Sequence, residues 1–131
     1  MKDSDKVLVD TSAWIDFFRK NEPVYSTVLK IMDENRICCI GIILAELIQG
    51  ARTREEIATL KDFIDVFDFI GESNGLWEQA GELSFSLKKE GKQVGLADCY
   101  IATAANAEKA AILTMDIHFR TIAEQIELVL L

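Results

Sequence analysis

The sequence predicts an α/β fold in which a mostly parallel sheet of about five strands is covered by helices on both faces. Two observations predict this arrangement. Short β-rich runs alternate with helical patterns along the chain. The runs are joined by helical stretches, and parallel strands need such crossovers of about a dozen residues or more. A sheet built in this way is buried on both faces, because the crossover helices lie on either side of it.

The first half of the chain supplies three of these strands. They are residues 6–10 (KVLVD), 36–42 (RICCIGI) and 67–71 (FDFIG). Helices are predicted between them because apolar residues recur at helical spacing, as Trp14 and Phe18 do in the first helix. Their expected ranges are 11–21, 23–35, 44–52 and 54–67. Pro23 is expected at the first position of the second helix.

The second half alternates in the same way. A helix over residues 76–91 is expected to end at Gly91, since glycine suits a left-handed C-terminal cap. The next helix, residues 96–109, is so rich in alanine and other apolar residues that most of it must be buried. Strands are predicted at 110–116 (AAILTMD) and 127–131 (ELVLL), with a short helix over 118–125 between them.

Length and composition bound the class of protein. A chain of 131 residues that is 50% hydrophobic suits one globular domain, expected over residues 1–131. Its longest apolar stretch ends at Glu46, far short of the ~20 residues that cross a bilayer, and its start lacks a secretory apolar segment, so a soluble cytoplasmic protein is expected. Cys38, Cys39 and Cys99 lack the spacing of a disulfide framework or metal-binding pair and are expected in the core.

The net charge of −8 argues against loose electrostatic binding to nucleic acid or to anionic membranes. A site made of carboxylates would itself contribute several of those charges, and bound cations would reverse the local sign. A phosphate substrate is therefore not excluded.

Two of the predicted strands end at a carboxylate. Asp10 closes the first strand, and Asp116 closes the strand at 110–116. Ligands of parallel sheets bind beyond the carboxyl ends of the strands, near the point where the strand order reverses, so both side chains are candidates for a site. Each also has a simpler explanation. Asp10, Thr11 and Ser12 are favoured helix caps, and Asp116 suits a turn or cap before the next helix.

Two further carboxylates lie on predicted helices. Asp98 shares a helix face with small and apolar residues, Ile101 and Ala102 among them. Burying an ionised carboxylate there costs several kcal/mol unless it is paired or binds a metal; the alternative is an aspartate at the partly wet start of a helix. Glu46 lies beside the apolar stripe of a helix that starts at the carboxyl edge of the sheet, where a solvated glutamate is the alternative.

Carboxylates that cluster repel one another, by roughly 3 kcal/mol for a pair ~5 Å apart at an effective dielectric of ~20. A cluster of three or four therefore needs a counter-charge. Oxygen ligands suit Mg²⁺ or Mn²⁺, which act on phosphates. Thr11, Ser12 and Thr114 are expected to position water at such an ion through their hydroxyls.

Four segments of the chain carry a family resemblance. They are VLVDTSAWI near the start, LAELIQGA after the second strand, GLADCYIATAA in the buried helix and ILTMDIHF near the end. None is specific alone, but all four in this order resemble the PIN domain, and more narrowly the VapC-type ribonuclease toxins of prokaryotic toxin–antitoxin pairs. The resemblance implies a PIN-like three-layer fold and a Mg²⁺- or Mn²⁺-dependent endoribonuclease that cleaves RNA phosphodiester bonds by metal-activated water.

The resemblance also implies roles for particular residues. The acidic positions of the family correspond here to Asp10, Glu46, Asp98 and Asp116. These four are expected to be catalytic and metal-binding, with the hydroxyl of Thr114 in support. Family members commonly form homodimers and are silenced by a VapB-type antitoxin whose tail occupies the acidic groove. Some carry a further acidic residue two positions after the last of the four. Here that position is His118, which can ligate a metal, position a phosphate or cap the helix, so the number of ions stays open.

Contacts to the RNA backbone would have to come from scattered basic residues. The candidates are Lys88, Lys89, Lys92 and Arg52, with Arg54 and Arg120 as further candidates. A solvated helix end explains the three lysines nearly as well.

Three alternatives compete with the nuclease. A phosphoacceptor receiver domain would need an acceptor aspartate after a central strand and a lysine after a late one, but FDFIG ends without the first and ELVLL is terminal. A phosphohydrolase with Asp10 as nucleophile would carry a second aspartate two residues on, where this chain has Ser12. The third alternative is a catalytically silent PIN-like module that binds RNA or protein; the four filled acidic positions argue against it.

Overall fold

The computed structural model describes residues 5–131. Its strands are β1 (Val7–Val9), β2 (Ile37–Cys39), β3 (Asp68–Phe69) and β4 (Ala111–Leu113). They form one parallel sheet in the order β3-β2-β1-β4. Within the described range, seven helices flank it: α1 (Thr11–Phe18), α2 (Val24–Asp33), α3 (Gly41–Gln49), α4 (Arg54–Ile64), α5 (Asn74–Lys89), α6 (Leu96–Glu108) and α7 (His118–Ala123).

The predicted α/β fold with a parallel sheet is confirmed, but the predicted fifth strand is wrong. Residues 127–131 form a single bridge to β4, between Ile112 and Leu130. Two backbone hydrogen bonds of 2.9 Å hold it, from Ile112 N to Val129 O and from Leu131 N to Ile112 O. Val129 and Leu131 are exposed. The segment therefore packs by one face only, and its apolar run lacks the two-sided burial of a central strand.

The β2 strand is shorter than predicted because α3 begins at Gly41 rather than at residue 44. The chain leaves the sheet at Ile40, whose carbonyl accepts hydrogen bonds from the amides of Ile43 (3.0 Å) and Leu44 (3.2 Å). Ile43 and Leu47 then point into the core. The apolar run continues into a helix because burying two side chains one helical turn apart, Ile43 and Leu47, outweighs the strand propensity of isoleucine.

The start of α2 also differs slightly from the prediction. Pro23 is the N-cap residue of this helix and not its first helical residue. Because proline lacks an amide hydrogen, it leaves no donor unsatisfied just before the first turn. Val24, Val28 and Ile31 are buried, as their helical spacing predicts.

The middle of the core is β1, whose three residues are fully buried. It pairs with β2 on one side and β4 on the other, so the strand order reverses next to it. The predicted burial of α6 is confirmed, since every residue from Cys99 to Ala105 is buried. Cys38 and Cys39 are buried as well, and all three cysteines are free. No helix found in residues 5–131 combines the length and apolar character needed to cross a membrane.

The left-handed cap predicted at Gly91 is confirmed. Gly91 follows α5 with a φ of 76°. Its amide donates to Lys88 O, and the amide of Lys92 donates to Leu87 O, each over 2.9 Å. These are the two hydrogen bonds of a Schellman motif, which satisfies carbonyl groups at the end of the helix. The motif turns the chain out of α5 toward α6.

Two glycine substitutions in this region should have opposite effects on stability. Gly91→Ala should lower the free energy of unfolding by about 1 kcal/mol, because a side chain strains a residue with positive φ. Gly81→Ala should raise it by about 0.5–1 kcal/mol, since Gly81 lies inside α5 and an added Cβ meets no neighbouring group within 4 Å. Urea unfolding followed by circular dichroism measures both. Changes of the same sign would contradict this account of the turn.

Candidate metal centre

The carboxyl ends of β1 and β4 lie side by side. Val9 pairs with Leu113 at the last position of the two strands. The amide of Asp10 then donates to Leu113 O over 2.9 Å. Asp10 directly follows β1, and Thr114 directly follows β4. Asp10 and Thr114 are therefore neighbours at this edge of the sheet. The predicted strand end at Asp116 is wrong, because β4 ends at Leu113 and Asp116 lies in the loop that follows it.

Asp10 is buried, with 5% of its surface exposed. Its Oδ2 accepts hydrogen bonds from Thr114 Oγ1 (2.8 Å) and Ser12 Oγ (3.2 Å). Asp10 is the N-cap residue of α1, yet its side chain makes no capping hydrogen bond. The simple helix-cap explanation of this carboxylate is therefore wrong. Its side chain is directed instead toward the segment that follows β4.

The two hydroxyls that hold Asp10 also hold the loop after β4. Ser12 Oγ accepts the amide of Met115 (2.9 Å), and Thr114 Oγ1 accepts the amide of Asp116 (3.0 Å). The two hydroxyl oxygens are 3.3 Å apart. This role was missed in the sequence, where these hydroxyls were assigned to water. The available signal was a hydroxyl residue two positions from each carboxylate, namely Ser12 after Asp10 and Thr114 before Asp116.

Glu46 is half-buried on α3 and is not a free, solvated side chain. Its Oε1 accepts a short hydrogen bond from Thr11 Oγ1 at the start of α1. The contact joins the helix that follows β1 to the helix that follows β2. Glu46 is thereby held close to Thr11, the first residue of α1, which directly follows Asp10 in the sequence.

Asp98, Asp116 and His118 form a close group, and the structure does not bring Asp10 or Glu46 into it. Each offers one ligand atom, and these atoms lie within 4.8 Å of one another. Asp98 is half-buried in the first turn of α6. Oδ1 of Asp116 accepts the backbone amide of His118 (2.9 Å) and lies 3.1 Å from His118 Nδ1. Asp116 thus makes the turn that its simpler explanation predicts and also belongs to the cluster.

The carboxylates act on one another electrostatically. The pKa of Asp98 is raised from 3.8 to about 6, first by desolvation and then by the negative charges of Asp116, Asp10 and Glu46, with His118 opposing them. In residues 5–131, no lysine or arginine nitrogen lies within 4.0 Å of any of the four carboxylates. The cluster is therefore a concentration of negative charge with only a histidine beside it.

A divalent cation fits this set of residues. Carboxylate oxygens are the ligands that Mg²⁺ and Mn²⁺ prefer, and three or four of them exceed what one histidine can neutralise. The raised pKa of Asp98 indicates that its charge is not compensated by other groups of the protein. A bound ion would supply that compensation.

The basic residues predicted to contact RNA do not lie on one surface. Lys92 is paired with Glu90 (3.2 Å) and Glu124 (2.9 Å), and these hydrogen bonds raise its pKa. Lys88 and Lys89 line a cavity of about 330 Å³ with Phe85 and Leu96. Arg52 lines a different groove, of about 1000 Å³, which also reaches Glu46. Their role in binding RNA stays a prediction.

Comparisons with known proteins agree with this fold. A sequence profile of the PIN domain matches residues 7–125. Ribonuclease VapC1 of Methanocaldococcus jannaschii is 29% identical over 125 residues, which cover 94% of this chain and 85% of the relative. The crystal structure of VapBC2 from Rickettsia felis bound to a DNA fragment from their promoter has a TM-score of 0.75 at 24% identity, over 95% of this chain and 96% of that one. VapBC-5 from Mycobacterium tuberculosis, a member of the VapBC family of toxin–antitoxin systems, has a TM-score of 0.67 at 19% identity, over 98% of both chains.

The profile match includes all four strands and all four carboxylates. At under 25% identity, the two crystal structures bear on the fold alone. Because the match spans far more than half of the chain, this protein belongs to the PIN domain family.

Proposed function

We propose that this PIN-domain protein is a metal-dependent endoribonuclease and the toxin of a toxin–antitoxin pair. The observation that carries the proposal is the cluster of four carboxylates, which lacks a lysine or arginine partner throughout the described part of the chain. Such a cluster needs a cation, and a divalent ion held by carboxylates is suited to phosphate chemistry. The name of the relative Ribonuclease VapC1 supports RNA as the substrate.

Three carboxylates are assigned to one Mg²⁺ or Mn²⁺ ion, namely Asp10, Asp98 and Asp116. Glu46 is assigned to bind through water or to orient a second ion. When bound, the ion would lower the pKa of a coordinated water and offset charge on the scissile phosphate.

The hydroxyl residues orient these ligands. Thr114 and Ser12 both bind Oδ2 of Asp10, which leaves Oδ1 available. Thr11 binds Oε1 of Glu46, which likewise leaves Oε2 available. Because both carboxylates are fixed before RNA binds, little orientational entropy is lost at the reaction. Attack of water on phosphorus, with the 3′ oxygen leaving, gives a 5′-phosphate and a 3′-hydroxyl.

An apolar groove beside Glu46 supports an antitoxin partner. This groove of about 1000 Å³ runs between α1, α3 and α4 and is lined by aromatic and aliphatic side chains, including Phe18, which is 41% exposed. Arg19 and Arg52 also line it. Glu46, Glu55 and Glu56 line it as well. A VapB-type antitoxin segment with apolar and basic side chains would cover the groove and reach the carboxylate of Glu46. Homodimer formation, which the family resemblance implies, stays a prediction.

Asp10→Asn should abolish RNA cleavage, lowering its rate at least about a hundredfold, because it removes the negative charge of an ion ligand and leaves one oxygen to serve both the ion and the two hydroxyls. Purified protein is incubated with defined single-stranded and structured RNAs in Mg²⁺ or Mn²⁺, and the product ends are identified. The matched control is Asp62→Asn, the same change at an exposed carboxylate of α4. The control should cleave as the parent does.

Excess EDTA should stop the parent enzyme. Cleavage that continues in EDTA, or products with 2′,3′-cyclic phosphates, would contradict the metal mechanism. RNA binding without any cleavage in either metal would favour the catalytically silent module instead.

Asp98→Asn should stabilise the metal-free protein at neutral pH and have little effect near pH 4. Folding raises the pKa of Asp98 from 3.8 to about 6 and so disfavours its charged form. The resulting loss of stability is absent below the unfolded pKa, grows as the pH rises through the folded pKa, and is complete above it. After allowance for solvent screening, it should be about 1–2 kcal/mol.

Urea unfolding of both proteins in EDTA at the two pH values measures this difference. A variant that is less stable than the parent at both pH values would show that Asp98 makes a structural hydrogen bond. In that case its assignment as an ion ligand would be withdrawn.

A further inference from the structure

We propose that His118 is an ion ligand together with Asp98 and Asp116, and that its nitrogen makes the site select Mn²⁺ over Mg²⁺. The proposal rests on the proposed function, because it concerns the same metal centre. It replaces the three roles left open for this histidine by one.

The distances among the three residues are close to those of a shared ion. His118 Nδ1 lies 3.1 Å from Asp116 Oδ1, and one ligand atom from each of the three residues lies within 4.8 Å of the others. Two adjacent ligands of an octahedral ion at about 2.1 Å are about 3 Å apart, and two opposite ones about 4 Å apart. The three side chains therefore converge on an ion with only small rotations.

Helix capping does not explain the imidazole. The turn before α7 is closed by the backbone amide of His118, which donates to Asp116 Oδ1 over 2.9 Å. Any residue except proline would supply that amide. The N-cap of α7 is Ile117, and no side chain caps it. The ring of His118 is half-exposed, and its Nδ1 faces Asp116 Oδ1 at 3.1 Å without taking part in the cap.

The chemistry of the ring then decides the ion. Mg²⁺ takes oxygen ligands and tolerates little departure from them, whereas Mn²⁺ also accepts carboxylates but, as a first-row transition ion, loses less when an imidazole nitrogen replaces one of the oxygens. A carboxylate at this position would complete an all-oxygen site, which suits Mg²⁺. With His118 in its place, the ligand set is mixed and favours Mn²⁺.

A spectroscopic test is direct because the chain has a single histidine. Tag-free protein is loaded with Mn²⁺, and electron spin-echo envelope modulation is recorded. A directly bound imidazole gives a ¹⁴N coupling that only His118 can produce. The coupling should be present in the parent and in Arg120→Gln, an exposed change on the same helix. It should be absent in His118→Gln.

Ion selectivity gives a second readout. Calorimetric titration with Mn²⁺ and with Mg²⁺ yields the ratio of the two dissociation constants. The dissociation constant for Mg²⁺ divided by that for Mn²⁺ should fall about tenfold in His118→Asp relative to the parent, because the added carboxylate tightens Mg²⁺ binding more than Mn²⁺ binding. A parent without nitrogen coupling, or with the same ratio as His118→Asp, would overturn the proposal.

RNA cleavage separates this proposal from the function on which it rests. A parent that cleaves RNA in metal but shows no nitrogen coupling would retain the nuclease and lose the role of His118. A parent that shows the coupling but cleaves no RNA would keep the ligand and lose the nuclease.

Discussion

The pairing of β1 with β4 is the constraint on which the rest of the site depends. The backbone hydrogen bond from Asp10 N to Leu113 O, 2.9 Å long, fixes the ends of the two strands side by side. The strand order reverses at this pair, which is where sheets of this kind bind their ligands. Every carboxylate of the cluster is positioned relative to this point. Without the pairing, neither Asp10 nor the Asp116 loop would have a fixed partner.

The fold tolerates a charge cluster that destabilises it. Asp98 is partly desolvated and faces three like charges, which is why its pKa is raised to about 6. The helix that carries it is otherwise buried from Cys99 to Ala105. Stacking of Trp77 on Tyr100, with ring centroids 3.8 Å apart, also holds α5 against this helix. Burial of the apolar side of α6 therefore offsets the destabilising effect of the carboxylate in its first turn.

Much of this arrangement follows from local sequence patterns. Alternating periods predict the parallel sheet, and Asp10 directly after β1 and Asp116 in the loop after β4 are both at its carboxyl edge. Asp98 is recognisable because a carboxylate on an apolar helix face is costly. The bond between Thr11 and Glu46 is not predictable in this way, because its partners are 35 positions apart and depend on tertiary packing. The fifth strand was overpredicted for a similar reason: ELVLL is apolar throughout, but only one of its faces is covered.

The hydroxyl network has a consequence for the order in which the site is made. Thr114 and Asp10 are separated by 104 positions, yet they share one hydrogen bond. During synthesis, the first carboxylate emerges long before the residues that orient it. A nascent chain on the ribosome thus contains no assembled centre until β4 has been translated and has docked beside β1. The timing of any activity is in this way tied to completion of the fold.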